Sequence, residues 1–376
     1  MRKIRVLIVD DAVVVRRIVS EVLVGDPDIE VAGIAANGRI ALTKIPQVNP
    51  DLVTLDIEMP EMDGLETLRE IRKIYPTLPV IMFSTLTSRG ASATLDALAF
   101  GANDYVTKPA NVGSVSMAMQ RIREELIPRI KTFCAKAVGL RQPLEPKPAA
   151  KPKVQTPFLK PSVISQRVET SPVVSNRVDI VAIGVSTGGP NALAELFPHL
   201  PSNFPVPIVI VQHMPPFFTK LLAERLDTKS QVSISEGRSG EQLQPGAAYI
   251  APGDYHMVLE KNGNGVLQIQ TNQNPPENSC RPAVDVLFRS VAKFFGPHCL
   301  GIILTGMGQD GLIGCEHIKE TGGQIVVQDE ETSVVWGMPG FVARSGLAEK
   351  IIPLPQMQRE IVSRLKHGRS DWSPAS

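Results

Sequence analysis

The chain has 376 residues, of which 43% are hydrophobic, 20% charged and 5% aromatic, and its formal net charge is +1. That length predicts two or three domains with sizeable cores and excludes a wholly disordered chain, and no apolar run approaches the ~20 residues of a membrane span. A net charge near zero argues against a nucleic-acid partner, which would demand clustered basic charge.

Residues 1–125 carry 14 Lys/Arg and 17 Asp/Glu, a net −3. The basic start (Arg2, Lys3, Arg5) leads into an apolar run that stops at Asp10-Asp11. That run is too short for the core of a secretory signal, so a cytoplasmic location is expected. Ile4–Val9, Ile29–Ala35, Leu52–Leu55, Val80–Phe83 and Asp104–Thr107 read as strands. Helical patterns lie between them, the last running from about Val112 into the 120s. Five β/α repeats predict a parallel sheet covered on both faces.

In such a sheet, ligands bind outside the carboxyl ends of the strands. Those ends read Asp10-Asp11, Asp56, Ser84 and Thr107-Lys108-Pro109. Three converging carboxylates repel one another, and a hard divalent cation offsets that repulsion. Mg²⁺ takes a few carboxylates plus water and phosphate oxygens. A lysine and a hydroxyl alongside suit the oxygens of a phosphoryl group.

Leu7-Ile8-Val9-Asp10-Asp11, Leu55-Asp56-Ile57-Glu58-Met59-Pro60-Glu61-Met62-Asp63-Gly64 and Val106-Thr107-Lys108-Pro109 resemble the motifs of response-regulator receiver domains. The resemblance covers the whole first domain and implies a flavodoxin-like five-stranded fold. It implies Asp56 as the phosphoacceptor, with Mg²⁺ held by Asp10, Asp11, Asp56 and the Glu58 carbonyl. Ser84 and Lys108 would sense the phosphoryl group, and Tyr105 would be the aromatic that reorients on activation. Receivers act as switches on whatever follows them.

Residues 126–176 carry nine Lys/Arg and two Asp/Glu, a net +7, with seven prolines from Pro143 to Pro172. From about Leu140 onward this composition builds no packed core and reads as a semi-extended basic tether. Its first part can extend the last receiver helix. The tether is expected to associate weakly with acidic surfaces, either the two domains or an anionic membrane face.

Residues 177–376 return to a net −3. Asp179–Ile183, ending in Gly184, then Ile208–Gln212, Leu300–Thr305 and Gln324–Val327 read as strands of a second α/β domain. Ala247–Ala251, His256–Lys261 and Val266–Gln270 are shorter strands between them, and Asn262-Gly263 and Asn264-Gly265 mark a hairpin turn. The expected architecture is a doubly wound, mostly parallel sheet with an inserted β-hairpin. The four cysteines (Cys134, Cys280, Cys299, Cys315) lack metal-like spacing and fit reduced thiols.

Gly184-Val185-Ser186-Thr187-Gly188 satisfies G-x-S-x-G, the steep strand-to-helix turn that presents a nucleophilic serine. His213 follows the next strand and Asp310 a later one, so a parallel sheet would place all three along one edge. A serine, a histidine base and a carboxylate that orients it make an acyl-transfer triad. The Thr187 backbone N–H would lie at the helix start, where an oxyanion is favoured.

A rival reading exists. Gly306-Met307-Gly308-Gln309-Asp310-Gly311 also spells G-x-G-x-x-G after a strand, with Asp329 further on, which fits a receiver-regulated dinucleotide-binding module. Its late position in the domain and the acidic Asp310 count against it.

Ile183-Gly184-Val185-Ser186-Thr187-Gly188-Gly189-Pro190, Val211-Gln212-His213-Met214-Pro215, Ala251-Pro252-Gly253-Asp254-Tyr255-His256-Met257, Arg281-Pro282-Ala283-Val284-Asp285-Val286-Leu287-Phe288 and Leu304-Thr305-Gly306-Met307-Gly308-Gln309-Asp310-Gly311 resemble the chemotaxis protein-glutamate methylesterases. The resemblance implies removal of methyl esters from, and deamidation of glutamines on, methyl-accepting chemotaxis receptors. It implies Ser186 as nucleophile, His213 as base and acid, Asp310 as orienter, and the Thr187 and Met307 N–H groups as oxyanion donors. The esterase chemistry would need no cofactor, a chemotaxis histidine kinase would supply the phosphoryl group, and the chain would be a monomer. Beside these, His256 reads as a turn histidine, Arg281 as a receptor contact or a local salt bridge, and Cys280 as a packed thiol. Trp336 reads as a wall of the cleft, and Met117 and Met119 as helix packing or surface.

Overall fold

The computed structural model describes residues 2–108, 115–135, 177–369 and 371–375. The tether from 136 to 176, and with it the expectation of weak association with acidic surfaces, lies outside the described residues. So do Pro109 and residues 112–114.

The first unit runs β1 (Ile4–Val9), α1 (Val13–Val24), β2 (Ile29–Ala35), α2 (Gly38–Val48), β3 (Leu52–Asp56), α3 (Gly64–Ile74), β4 (Val80–Ser84), α4 (Ser88–Ala99), β5 (Asp104–Thr107) and α5 (Val115–Cys134). The strands pair in parallel in the order β2-β1-β3-β4-β5. β3 and β4 are buried along their whole length, which is why they read as unbroken apolar runs and not as alternation. Sharp local signals set the helix starts. Asp63 and Glu66 form a reciprocal capping box on α3, and Asn37 and Thr87 cap α2 and α4. Helix α5 continues to Cys134, so the first residues of the segment read as tether belong to the helix.

The second unit contains β6 (Ile180–Val185), α6 (Gly189–Leu196), β7 (Ile208–Gln212), α7 (Phe218–Asp227), β8 (Ser233–Glu236), β9 (Ala247–Ile250), β10 (His256–Lys261), β11 (Leu267–Asn272), α8 (Val284–Phe295), β12 (Cys299–Ile303), α9 (Leu312–Glu320), β13 (Gln324–Gln328), α10 (Met338–Arg344), β14 (Lys350–Ile352) and α11 (Leu354–Lys366). Seven strands form one parallel sheet ordered β14-β13-β12-β6-β7-β9-β8, and β10 with β11 makes a separate antiparallel hairpin. Sequence reading missed β8 and β14. Both are short edge strands, largely exposed and partly polar, and neither carries a buried apolar run.

The two units pack directly against each other. The ring of Tyr105 on β5 stacks on Phe218 of α7, with centroids 5.0 Å apart and planes 8° from parallel. Arg225 of α7 pairs with Asp96 of α4. Asn191 on α6 donates to the Leu98 carbonyl at 2.9 Å. One continuous apolar cluster includes residues of both units.

Close packing around β6 leaves no room at Gly184. A Cβ there would come within 2.5 Å of Val284 and 2.9 Å of Ile303. Gly184→Ala is therefore expected to destabilise the chain by about 1–3 kcal/mol, the usual cost of overpacking a core. Chemical denaturation checks this: an unchanged midpoint would mean that the start of α8 yields freely.

Candidate active site and phospho-acceptor site

The carboxyl ends of the first sheet bring Asp10, Asp11 and Asp56 together, each offering an oxygen within 4.8 Å of the other two. Lys108, just past β5, reaches across them. Its Nζ lies 2.7 Å from Asp56 Oδ2 and 2.9 Å from Asp10 Oδ2. These are ion-pair contacts of poor direction, and both buried oxygens lack a well-aligned hydrogen bond. Burial pushes the Asp56 carboxyl up to about 6. The neighbouring Asp10 charge adds to that, while Lys108 and the Glu58 N–H oppose it. Buried, under-satisfied and mutually repelling oxygens are a donor set that a hard divalent cation fits. Ser84 ends β4 as expected, but its hydroxyl is bonded to α4: it accepts from Thr94 Oγ1 at 2.6 Å and faces the Gly90 carbonyl at 3.1 Å. Tyr105 faces the second unit. The Glu58 side chain meets Arg89 at 3.6 Å, while its backbone N–H bonds to Asp56.

In the second unit, β12, β6 and β7 are neighbours, so the residues after them meet. Val185 and Gln212 are register partners, which puts Ser186 and His213 at adjacent strand ends. The turn after β6 is tight: Gly188 adopts φ +80°, a left-handed conformation that glycine enters without a Cβ clash, and α6 starts at the next residue. The buried Gln212 side chain stitches the two loops together, donating from Nε2 to the Ser186 carbonyl at 3.0 Å and to the His213 carbonyl at 3.3 Å.

His213 Nε2 lies 2.8 Å from Asp310 Oδ2. Asp310, 2% exposed, also accepts from the backbone N–H groups of Val284 (2.6 Å), Asp285 (3.1 Å) and Gly311 (3.0 Å), and from Asn278 Nδ2 (2.9 Å). Burial opposes its ionisation, but the bond and charge of His213 and the N–H groups at the start of α8 outweigh it and hold the carboxyl below its ordinary range. Asp285 mirrors this arrangement. It sits in the first turn of α8 and accepts from Gly311 and Gly314 at the start of α9, at 3.0 and 2.6 Å. Burial and the Asp310 charge push it up to about 6. Asp285 thus takes the Gly311 and Gly314 N–H groups and sets negative charge at the start of α9, where a dinucleotide pyrophosphate would sit, which argues against the rival reading.

The other imidazole nitrogen of His213, Nδ1, faces Cys280 Sγ at 3.7 Å. Cys280, expected as a packed thiol, is half-buried and packs against this nitrogen. Burial would lower the His213 pKa, but the Cys280 sulfur and the Asp310 carboxylate raise it above the ordinary value. Among the described residues the Ser186 hydroxyl has no hydrogen-bond partner, and the backbone N–H groups of Thr187 and Met307 have no acceptor. The receiver reaches the rim of this site. The Thr187 hydroxyl donates to Asp104 at 3.0 Å, and Thr132 of α5 lies 3.5 Å from the Met307 sulfur.

Several residues take structural places. His256 is buried between the Pro275 carbonyl (3.1 Å) and the Ala283 N–H (3.2 Å). Arg281 makes the local salt bridge, at 2.6 Å to Asp254. Trp336 donates to the Gln328 carbonyl at 3.0 Å. Met117 is on the surface of α5, and Met119 packs on the receiver core. Sequence reading missed the roles of Asn278, Asp285 and Gln212. Gln212 and Asp285 lie inside the sequence motifs and Asn278 just before one, but a polar residue in or near a motif does not announce which buried group it will satisfy.

The chain matches two family models, a response regulator receiver domain over residues 6–120 and a CheB methylesterase over residues 181–361. It is 55% identical to a protein-glutamate methylesterase/protein-glutamine glutaminase of Trichodesmium erythraeum, over 97% of this chain and 100% of that one. It is 51% identical to one of Nocardioides, over 100% and 99%. A crystal structure of the Thermotoga maritima CheB methylesterase catalytic domain is 43% identical, covering 50% of this chain and 98% of that one with a TM-score of 0.48. With a relative matched along almost its whole length at more than half identity, the chain belongs to the CheB family of chemotaxis response regulators, in which a receiver domain precedes a methylesterase domain.

Proposed function

We propose that the chain hydrolyses glutamate methyl esters, and deamidates glutamines, on methyl-accepting chemotaxis receptors under the control of phosphorylation at Asp56. The receiver unit extends past residue 125 through α5 to Cys134, and the second unit begins near residue 177. The observation that carries the esterase reading is the 2.8 Å His213–Asp310 contact beside the unpartnered Ser186 hydroxyl. Asp310 orients the imidazole through Nε2, leaving Nδ1 to take the Ser186 proton as Oγ attacks the ester or amide carbon. The tetrahedral oxyanion is held by the Thr187 and Met307 N–H groups. His213 then protonates the departing methanol or ammonia, and water repeats the cycle on the acyl-enzyme.

In the receiver, Asp10, Asp11, Asp56 and the Glu58 carbonyl would hold Mg²⁺. An ion held there would supply positive charge to offset the acid cluster and the added phosphoryl charge. Asp56 accepts the phosphoryl group from a chemotaxis histidine kinase, and Lys108 pairs with the added oxygens. Because Tyr105, Asp96 and Asp104 all touch the second unit, a shift in β5 or α4 alters the cover over the site. Docking of the receiver against Thr187 and Met307 supports a closed, unphosphorylated form.

Ser186→Ala is expected to lower methanol release from methylated receptor membranes by a factor of about 10³ or more with the fold intact. Surviving release would remove Ser186 from the mechanism. The raised His213 pKa means that neutral imidazole accumulates only as pH rises, so kcat/KM climbs on the alkaline side of neutrality. Asp310→Asn removes a raising partner and moves that limb to lower pH. A profile flat from pH 6 to pH 9 in both proteins would contradict the assignment.

The Asp56 carboxyl titrates higher in the folded chain than in the unfolded one, so stability is lost as pH rises from about 4 through 6. Asp56→Asn is therefore expected to raise the Tm at pH 7.5 by an increment worth about 2–3 kcal/mol at most, with a smaller gain at pH 5, and to abolish labelling by acetyl phosphate. Parallel melting curves at both pH values would refute it.

Arg225→Glu sets two acids face to face across the interface and is expected to raise activity in the absence of phosphodonor. Basal activity equal to that of the unaltered chain would separate this contact from regulation.

A further inference from the structure

Asp310 engages only one nitrogen of His213. On the other side, Nδ1 and Cys280 Sγ stand 3.7 Å apart. A tetrahedral zinc ion bonded at about 2.1 Å to imidazole nitrogen and about 2.3 Å to thiolate sulfur holds those two atoms about 3.6 Å apart. The pair therefore already has the spacing of two ligands on one ion. His213, Cys280 and Asp310 each bring a ligand atom within 4.8 Å of the other two. The oxygens of Asp310 are taken by five donors, so it acts through His213. A carboxylate on the far nitrogen is the usual outer support of a zinc-bound histidine.

The cysteine is held as firmly as the histidine. Residues 277 and 280 exchange backbone bonds at 3.1 and 2.9 Å. Glu277 is clamped by two 2.6 Å bonds from Arg289. Asn278 bridges Asp285 and Asp310, and Arg281 is tied to Asp254. Asn278 and Ser279 take φ values of +52° and +61°, a strained pair that presents the thiol toward the imidazole.

We propose that His213 Nδ1 and Cys280 Sγ form a binding site for a thiophilic divalent cation, Zn²⁺, that shuts the esterase centre by occupying its base. Water and the free Ser186 hydroxyl complete the coordination. Binding displaces the thiol proton, and any proton on Nδ1, to solvent, while Nε2–H stays on Asp310. Two protein ligands and open solvent positions make the site weak and reversible. The lone pair that binds the metal is the one that takes the Ser186 proton, so metal and turnover exclude each other. This inhibitory consequence rests on the proposed esterase mechanism, whereas the metal site itself does not.

Co²⁺ titration of the full chain in excess Mg²⁺ tests the site directly. The receiver acids offer oxygen only and give no thiolate band. Cys134 and Cys299 are buried and pushed up to about 12, and burial also raises Cys315, so these stay protonated. One equivalent of Co²⁺ is expected to produce a thiolate charge-transfer band that Zn²⁺ bleaches. The band should vanish in Cys280→Ser and in His213→Gln and persist in Asp56→Asn. Zn²⁺ should inhibit methanol release, a chelator should restore it, and Cys280→Ser should weaken that inhibition roughly tenfold or more, at least the loss caused by deleting an outer-shell partner. No band in the unaltered chain, a band surviving in Cys280→Ser, or equal zinc inhibition in both proteins overturns the proposal. If no protein releases methanol, the esterase reading fails, and the Co²⁺ band still decides the metal site.

Discussion

Five donors converge on the carboxylate of Asp310, and the architecture around the candidate active site follows from keeping them there. A buried charge costs several kcal/mol unless it is fully hydrogen-bonded. Here the backbone N–H groups of Val284 and Asp285, at the start of α8, supply two of the bonds together with the helix dipole. Asp285 returns the arrangement to α9 through Gly311 and Gly314. Two helices are thus capped by each other's neighbouring acids, and the price of burying two carboxylates is met by groups that would otherwise be orphaned at helix ends. The Asp310 oxygen that meets His213 also accepts the Val284 N–H.

The same economy of groups sets the character of the histidine. With Nε2 committed to Asp310, only Nδ1 is free for chemistry, and the Cys280 thiol already stands beside it. The imidazole is held in a narrow slot between a carboxylate and a sulfur. Both favour its protonated form.

Coupling between the units has an equally local basis. The receiver touches the second unit through the side chains of Thr187 and Met307, whose N–H groups are the candidate oxyanion donors, and through an aromatic stack on Tyr105. A charge change at Asp56 acts on Lys108 just beyond β5, and Tyr105 lies on that same strand. Only one short strand, β5, separates the acid cluster from the interface.

Much of this was legible along the chain. The central strands of both parallel sheets are buried on two faces and so stand out as apolar runs, and the candidate functional residues follow them because parallel sheets gather ligands at one edge. Asp10, Asp11, Asp56 and Lys108, and Ser186, His213 and Asp310, were placed by that rule. The edge strands Ser233–Glu236 and Lys350–Ile352 were not, because a short exposed edge carries no periodic signature. By itself the sequence determined the two folds, the order of their motifs and the chemical types at each site. Only the tertiary structure decided that Cys280 faces the imidazole, that Asp285 and Asn278 brace Asp310, that Ser84 bonds to α4, and that Tyr105 stacks on Phe218. Each of those contacts joins segments far apart in the chain or turns a side chain toward one of several neighbours, and such choices are made by packing and by the satisfaction of buried polar groups, not by local pattern.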